Sequence, residues 1–250
     1  MAATRQSRAL LVILGNQLFP REHLPSPDDA RVFMAEDLGL CTYVRHHQQK
    51  IVLFLAAMRS YADALQSAGY EVHYEHLDSQ DTSDYEAKLK KQLRATDTSK
   101  LLHFEIEDKA MEKRLVEFAA SEDLERRELR SPMFLSTRDD FAAFAKDSKR
   151  LLMGEFYKQQ RRRHGILVDD EGQPRGGQWS FDADNRKKLP KNVEPPSVDW
   201  ATPTEHVKQV SELVASEFAD HPGNANEFRW PTTREQALRF LDQFVDARLE

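Results

Sequence analysis

The sequence has little cysteine and no long apolar run, and each shortage excludes a class of protein. Cys41 is the only cysteine among 250 residues, which excludes an internal disulfide and any site built from several thiolates and fits a reducing cytosol. The apolar run at residues 9–15 covers about seven residues, whereas a membrane helix needs roughly 20, and no signal-peptide cleavage pattern follows it. We therefore expect a soluble, cytoplasmic protein with no membrane partner.

Motifs that bind nucleotide phosphates are also missing. No G-x-G-x-x-G or G-x-x-x-x-G-K-[ST] pattern follows any apolar run, so the backbone cradles for pyrophosphate and triphosphate are not encoded. G-x-S-x-G and H-E-x-x-H are absent too, which leaves hydrolase chemistry without support. With 36 basic against 42 acidic residues and a net charge of −6, any contact with DNA would have to be local.

The first two thirds of the chain alternate short apolar runs with amphipathic stretches, a pattern typical of strands separated by helices. Strands are predicted at residues 9–14, 31–34, 70–76, 101–106 and 127–129, and helices at 44–68, 83–93 and 109–120. Helical crossovers of this length require mostly parallel strands with helices on both faces of the sheet. The predicted fold is therefore α/β, with a doubly wound parallel sheet.

Beyond residue 150 the pattern changes. An amphipathic segment at 151–164 precedes a polar stretch with Gly and Pro at 169–203, and two helical patterns at 205–218 and 233–249 close the chain. Compact domains rarely hold some thirty residues without regular structure unless another element covers them. We therefore expect a long connector here, followed by helices.

Three aromatic side chains in this connector, Trp179, Phe181 and Trp200, have no obvious apolar partner in their own segment. A covering domain outside this sequence would supply one. We accordingly predict an α/β domain at residues 1–150, a connector at 151–204 and the start of a helical domain at 205–250.

Ligands of doubly wound sheets lie beyond the carboxyl ends of the strands, where the strand order reverses. The candidates follow the first, second and fourth strands: Gly15, Asn16, Gln17, Glu36, Asp37, Glu105, Ile106 and Glu107. Gly15 would let the backbone pass close to a flat ligand, and the amides of Asn16 and Gln17 offer donors and acceptors to a heterocycle. A plain turn after the strand would have the same composition, so both interpretations stay open.

Tyr43, His46, His47 and Lys50 cluster near the start of the long predicted helix. A phenol ring, an imidazole and an ammonium group could surround an aromatic anion. The alternative is ordinary packing and solvation of the helix. Adjacent histidines point about a hundred degrees apart on a helix, so the pair is a poor metal site and no metal is predicted.

The dense basic run of the chain is KQQRRRH at residues 158–164, which includes Arg161, Arg162 and Arg163. With Phe156 and Tyr157 beside it, the run resembles a patch that contacts nucleic-acid phosphates. A solvated helix face, or a surface of salt bridges between domains, has the same composition.

Five segments together resemble one family. They lie at residues 10–20, 32–78, 153–169, 176–191 and 228–244, and in this order they are similar to the photolyase-related proteins of the iron-sulfur bacterial cryptochrome and 6-4 photolyase family. YVRHHQQKI, together with the AAMR that follows it, is the most distinctive part. The family implies a Rossmann-like antenna domain, followed by a helical domain that carries FAD, a 4Fe-4S cluster and the DNA lesion site.

The resemblance implies that this chain is the antenna half of a photolyase-like or cryptochrome-like flavoprotein. FAD, the cluster and DNA are expected only with the C-terminal helical half, so light-dependent repair by this chain alone is predicted to be absent. A pigment-free scaffold that docks a helical partner is the alternative. A small nucleotide-binding α/β enzyme has less support, since the phosphate motifs are missing.

The resemblance also implies a site for 6,7-dimethyl-8-ribityllumazine or a similar pigment. Its contacts would come from Gly15, Asn16, Gln17, Glu36, Leu40, Tyr43, His47, Lys50, Phe54, Ile106 and Glu107. Asn16 stands where the family usually has an aspartate, and Leu40 where some members have a glutamate. Losing both carboxylates, with the bulk of Phe54 added, predicts a different pigment or none.

Overall fold

The computed structural model describes residues 8–147, 149–183, 186–188, 191–194 and 197–248. Its strands are β1 (Ala9–Val12), β2 (Ala30–Ala35), β3 (Val72–Glu75), β4 (Lys100–Phe104) and β5 (Glu125–Leu129). They form one sheet in the order β3-β2-β1-β4-β5, and every neighbouring pair is parallel. The predicted α/β class is confirmed.

The helices of the described ranges flank and follow this sheet. They are α1 (Leu38–Thr42), α2 (Gln48–Ser67), α3 (Tyr85–Ala95), α4 (Lys109–Ser121), α5 (Arg138–Asp147), α6 (Met153–His164), α7 (Glu205–Glu217) and α8 (Arg234–Arg248). In these parts of the chain, no helix has the length and apolar character that crossing a bilayer demands.

The predicted helix at residues 44–68 begins later than expected. The chain leaves α1 at Thr42 and turns, and α2 starts at Gln48. His47 caps it, because its Nδ1 accepts a hydrogen bond from the backbone N of Gln49 at 3.2 Å. At the other end Gly69, with φ of +89°, stops the helix as predicted, in a conformation that other residues rarely adopt.

Alternating side chains of the strands build an apolar core on each face of the sheet. Leu10, Val12 and Phe33 belong to a buried cluster with the inner faces of α3 and α4. Leu11 and Met34 point the other way and join a cluster with α2. Helices therefore cover both faces: α3 and α4 pack on one, and α2 packs on the other.

The outer side of α2 is covered in turn by α7. Ile51 and Val52 of α2 pack in one buried cluster with Val207, Val210 and Val214 of α7. Because α2 is buried on both sides, it forms a fixed wall at the carboxyl ends of β1 and β2.

A glutamine at the start of α2 holds the loop that follows α7. The side chain of Gln48 donates to the carbonyls of Phe218 at 3.0 Å and His221 at 3.3 Å, and it accepts from the backbone N of Ala225 at 2.9 Å. The backbone N of Gln48 donates to Pro222 O at 2.8 Å. The distinctive HHQQ sequence thus contacts residues far along the chain.

The described residues divide into two compact units. One contains the residues up to Pro132 and those from 197 onward, and the other contains the residues from Met133 to 194. The first unit holds the sheet with α1–α4, α7 and α8, and the second holds α5, α6 and the polar segment after them. The domain boundaries predicted at residues 150 and 204 from the change of sequence pattern stay predictions.

Candidate functional site

A cavity of about 420 Å³ lies in the first unit, at the carboxyl edge of the sheet. Residues that follow β1, β2 and β4 line it, together with residues of α1, α2, α3 and α4. From β1 the chain continues to β2 on one side, and from β4 it continues to β5 on the other. A parallel sheet binds its ligands at such a reversal of strand order.

Most of the predicted contact residues lie around this cavity. Those that line it are Gly15, Asn16, Glu36, Leu40, Tyr43, Lys50, Phe54 and Ile106. Gln17, His47 and Glu107 are not among its lining residues. Contact between any of them and a pigment stays a prediction.

Gln17 and Glu107 join the loops beyond the strands to one another. The buried side chain of Gln17 donates through Nε2 to Glu105 O at 2.7 Å and to Glu107 Oε2 at 3.3 Å. Ser131 Oγ donates to Glu107 Oε1 at 2.8 Å. These side chains fix the edge of the sheet around the cavity.

His47 packs against a glycine. Gly223 has φ of +93°, and a Cβ added there would collide with the imidazole of His47. Since the ring also caps α2, its position follows from the docking of the loop after α7.

Gly15 permits a close approach of α2 to the end of β1. A Cβ at this position would lie 2.8 Å from Met58 Sδ and 3.1 Å from Phe54 Cδ1, closer than side chains pack. The ring of Phe54 therefore rests against Gly15, and the cavity remains open beside it. Phe54 forms a wall and does not fill the space.

Glu36 lines the cavity, but its carboxylate is fully engaged inside the protein. It accepts from Arg59 Nε at 2.7 Å and Nη2 at 2.9 Å, from the hydroxyl of Tyr74 at 2.7 Å and from the backbone N of Leu77 at 2.7 Å. Burial, together with the charge of Glu36, raises the pKa of Tyr74, so this hydroxyl stays a donor. Because these four hydrogen bonds occupy the carboxylate, Glu36 has a structural role: it connects β2 to α2 and β3.

Asp37 points to the opposite face of the sheet, toward α3. Its Oδ1 accepts from the backbone N of Leu40 at 2.9 Å and caps α1. Its Oδ2 is buried and has no hydrogen-bond partner within the described ranges. Lys88 Nζ lies 3.6 Å from Oδ2 as an ion-pair partner and donates its hydrogen bond to Glu36 O at 3.2 Å.

Tyr85 opens α3 and lines the same cavity. The side chain is fully buried, its ring meets Phe33 edge-on at 5.8 Å, and its hydroxyl has no hydrogen-bond partner in the parts of the chain described. Burial raises the pKa of Tyr85, and the charge of Asp37 raises it further, so the hydroxyl stays protonated. Reasoning from strand ends missed Tyr85, because it stands at the start of a helix.

The predicted aromatic and basic cluster lies at the rim. The exposed ring of Tyr43 meets His46 edge-on at 4.8 Å, and Lys50 Nζ lies 3.2 Å from His46 Nδ1 and 6.0 Å from the ring centroid of Phe54. Partial burial and the charge of Lys50 lower the pKa of His46. The rim thus presents an ammonium group beside aromatic surfaces.

Within the second unit, the basic run of α6 is used to hold the polar segment. The buried Arg161 donates to the carbonyls of Ile166 at 3.1 Å and of Leu167, and its guanidinium stacks over Trp179 with 5.0 Å to the ring centroid. Trp179, for which no partner was predicted, therefore packs on an arginine pair, because Arg162 lies over the same ring at 4.6 Å.

The other two arginines of the run are engaged as well. Arg162 Nε donates to Gly172 O at 3.0 Å, and Arg163 forms an ion pair with Asp140 of α5. Both arginines therefore contact residues of the second unit itself. The predicted contact of Arg161, Arg162 and Arg163 with DNA stays a prediction.

Comparison with known proteins agrees with the resemblance. Residues 11–230 match the profile of deoxyribodipyrimidine photo-lyase-related proteins. The chain is 30% identical to a (6-4) photolyase of Agrobacterium fabrum over 241 residues, which are 95% of this chain and 47% of that protein. It is 27% identical to uncharacterized protein R852 of Acanthamoeba polyphaga mimivirus over 194 residues, 74% of this chain and 96% of the viral protein. The chain therefore spans about half the length of the bacterial relative, and it belongs to the family of deoxyribodipyrimidine photo-lyase-related proteins.

Proposed function

We propose that this chain is the pigment-binding half of a photolyase-like protein and holds a flat antenna pigment, such as 6,7-dimethyl-8-ribityllumazine, in the cavity beyond β1, β2 and β4. The cavity carries the proposal. Its volume of about 420 Å³ falls within the roughly 300–1,000 Å³ of small-molecule sites, which combine apolar walls with a few inward polar groups.

The residues present fit such a pigment. Leu40, Phe54 and Ile106 offer apolar surface to the faces of a ring system, and Asp37 Oδ2 and the hydroxyl of Tyr85 are buried polar atoms that still lack a hydrogen bond within the described chain. When bound, the pigment would absorb near-ultraviolet or blue light and pass the excitation to a flavin.

The polar tail of the pigment would leave through the rim. Lys50 and Tyr43 lie there, and an ammonium group and a phenol hydroxyl both hydrogen-bond to a ribityl chain. The exposed side of the cavity therefore suits a hydroxylated substituent, and the buried side suits the ring.

The flavin, an iron-sulfur cluster and the DNA lesion would be held by the remainder of an intact protein. This part of the proposal is supported by the identity to a (6-4) photolyase, of which this chain covers 47%. Binding the pigment and orienting it are the steps that we assign to this chain.

Titration of the purified chain with 6,7-dimethyl-8-ribityllumazine, followed by absorption and fluorescence, tests the proposal. We expect saturable binding of one pigment per chain. Leu40→Trp, which fills the cavity, should abolish binding, whereas Val44→Trp should leave it intact, since Val44 is exposed nearby and does not line the cavity. Absence of saturable binding of this pigment and of a deazaflavin by the unaltered chain would contradict the proposal.

A docking role is a second candidate, and an aromatic cluster favours it. Trp200 and Trp230 meet edge-on at 5.1 Å and remain 40% and 47% exposed, and Phe240 of α8 lies 6.2 Å from Trp200. Exposed apolar clusters of this kind mark interaction surfaces. Sedimentation of the chain co-expressed with the helical half of a relative tests this role, and separate migration of the two would count against it.

A further inference from the structure

We infer that Asp37 and Tyr85 together recognise the polar edge of the bound ring and select a heterocycle with an N–H group next to a C=O group. The inference rests on the proposed function, because it concerns the same cavity. It assigns the specificity to the α3 side of that cavity, through Asp37, which follows β2, and Tyr85, which the pattern of the sequence did not predict.

The first observation is the unsatisfied oxygen of Asp37. Its side chain is 5% exposed, and Oδ2 has no hydrogen-bond donor within the described ranges. The ammonium group of Lys88, 3.6 Å away, offsets the charge, but its hydrogen bond goes to Glu36 O. Native proteins rarely leave a buried carboxylate oxygen without a donor, because no hydrogen bond then offsets the free-energy cost of removing it from water.

The second observation is independent and concerns the hydroxyl of Tyr85. A buried phenol normally finds a hydrogen-bond partner, and this one has none in the part of the chain described. Its raised pKa keeps it protonated, so this residue of the cavity wall holds an unused donor within the described chain. Tyr61 and Tyr74 show the usual arrangement, since their hydroxyls donate to Phe19 O at 2.6 Å and to Glu36 at 2.7 Å.

Apart from Lys50 at the rim, the other charged side chains of the cavity wall already have partners within the described residues. Glu36 accepts four hydrogen bonds, and Arg114 donates to both oxygens of Glu86. Asp108 accepts from the backbone N atoms of Ala110 and Met111 at the start of α4. Among the buried side chains of the wall within the described ranges, the remaining capacity is an acceptor on Asp37 and a donor on Tyr85. These two groups define what the buried edge of a ligand must bring.

An acceptor and a donor complement a ring edge on which N–H and C=O are adjacent. Lumazines, flavins and deazaflavins carry this pattern at the imide of the pyrimidine ring. Methylation of that nitrogen removes the donor, and the added methyl group would face the Asp37 carboxylate. The inference therefore predicts discrimination against an N3-methylated pigment.

The experiment compares 6,7-dimethyl-8-ribityllumazine with its N3-methyl derivative on the unaltered chain and on two variants. We expect the methylated pigment to bind the unaltered chain at least about tenfold more weakly, because a charge-assisted hydrogen bond is lost. Asp37→Asn should weaken binding of the N–H pigment by about tenfold and scarcely change that of the methylated one. Tyr85→Phe should weaken both, by roughly fivefold.

Tyr61→Phe is the matched control. It removes a hydroxyl that is satisfied inside the protein and that lies outside the cavity lining, so it should lower the melting temperature and leave pigment affinity unchanged. Tyr85→Phe should do the opposite: the free protein should melt at the same or a higher temperature, because an unsatisfied buried group is gone.

The outcomes separate the two proposals. If the unaltered chain binds both pigments with equal affinity, and Tyr85→Phe binds them with that same affinity, Asp37 and Tyr85 are not a recognition pair. The proposed pigment-binding function is then still supported. If the unaltered chain binds neither pigment, the proposed function fails and the inference fails with it. The comparison of the two pigments on the unaltered chain needs no variant. It therefore tests the recognition of the N–H group even if Asp37→Asn does not fold.

Discussion

Two arginine–glutamate pairs lie on opposite faces of the sheet with nearly the same geometry. Arg59 reaches Glu36 on the α2 side at 2.7 and 2.9 Å, and Arg114 reaches Glu86 on the other side at 2.7 and 2.6 Å. The side chains of the first pair are 10% and 0% exposed, and those of the second are 40% and 20% exposed. Water can replace a lost partner only in the second pair, so burial decides what each contributes.

The largest effect is expected from Glu36→Gln. The amide would turn a donor toward the guanidinium of Arg59 or the hydroxyl of Tyr74 and leave a buried cation without its counter-charge. We expect a loss of about 3–5 kcal/mol in the free energy of unfolding, measured by urea denaturation. A loss below about 1 kcal/mol would show that water reaches this pair and would break the comparison.

Gln48→Ala extends the comparison to an uncharged buried group. It removes the side-chain partner of Ala225 N and His221 O and one of the two donors to Phe218 O, which still accepts from His221 N at 2.9 Å. We expect a cost of about 2–3 kcal/mol. The free energy of opening measured by hydrogen exchange at the Ala225 amide should fall by at least as much as the free energy of global unfolding. Gln49→Ala is the control, since Gln49 makes an exposed bond to Asn224 O and should change stability by less than about 0.5 kcal/mol.

His103 is a further buried polar side chain, and its contribution to the free energy of unfolding depends on pH. Its Nδ1 lies 2.7 Å from Phe104 O and its Nε2 lies 2.8 Å from Arg126 Nη1, which fits a neutral ring. Burial lowers the pKa of His103 below its ordinary value of 6.5, and Arg126 lowers it further. A lowered folded pKa means that the contribution is fully present above pH 6.5 and is lost as the pH falls through the folded pKa.

The measurement is the free energy of unfolding between neutral and mildly acidic pH, for the unaltered chain and for His103→Gln. The unaltered chain should lose stability with falling pH by up to about 1.4 kcal/mol per pH unit more than the variant. Parallel curves would mean that His103 takes up its proton equally in both states.

The sequence predicts the sheet well and the cavity wall only in part. The apolar run of β1 and the stop at Gly69 depend on local pattern, so both were predictable. The start of α2 was not, because Gln48 takes its partners from residues 218–225, about 170 positions away. Tyr85 and Arg114 were missed for a related reason: they reach the cavity from helices, and strand ends alone do not reveal them.

Glu86→Gln should have the smallest effect and is the counterpart of Glu36→Gln. Arg114 would lose one charge-assisted contact, but at 40% exposure its guanidinium regains water, so we expect a loss of no more than about 1 kcal/mol. The loss should shrink further in high salt, because exposed charges are screened, whereas the loss from Glu36→Gln should not. Equal losses for the two variants, or equal responses to salt, would mean that the shared bidentate geometry outweighs burial. Because Arg114 also lines the cavity, the pigment affinity of Glu86→Gln is informative as well: an unchanged affinity would show that this ion pair does not contribute to recognition.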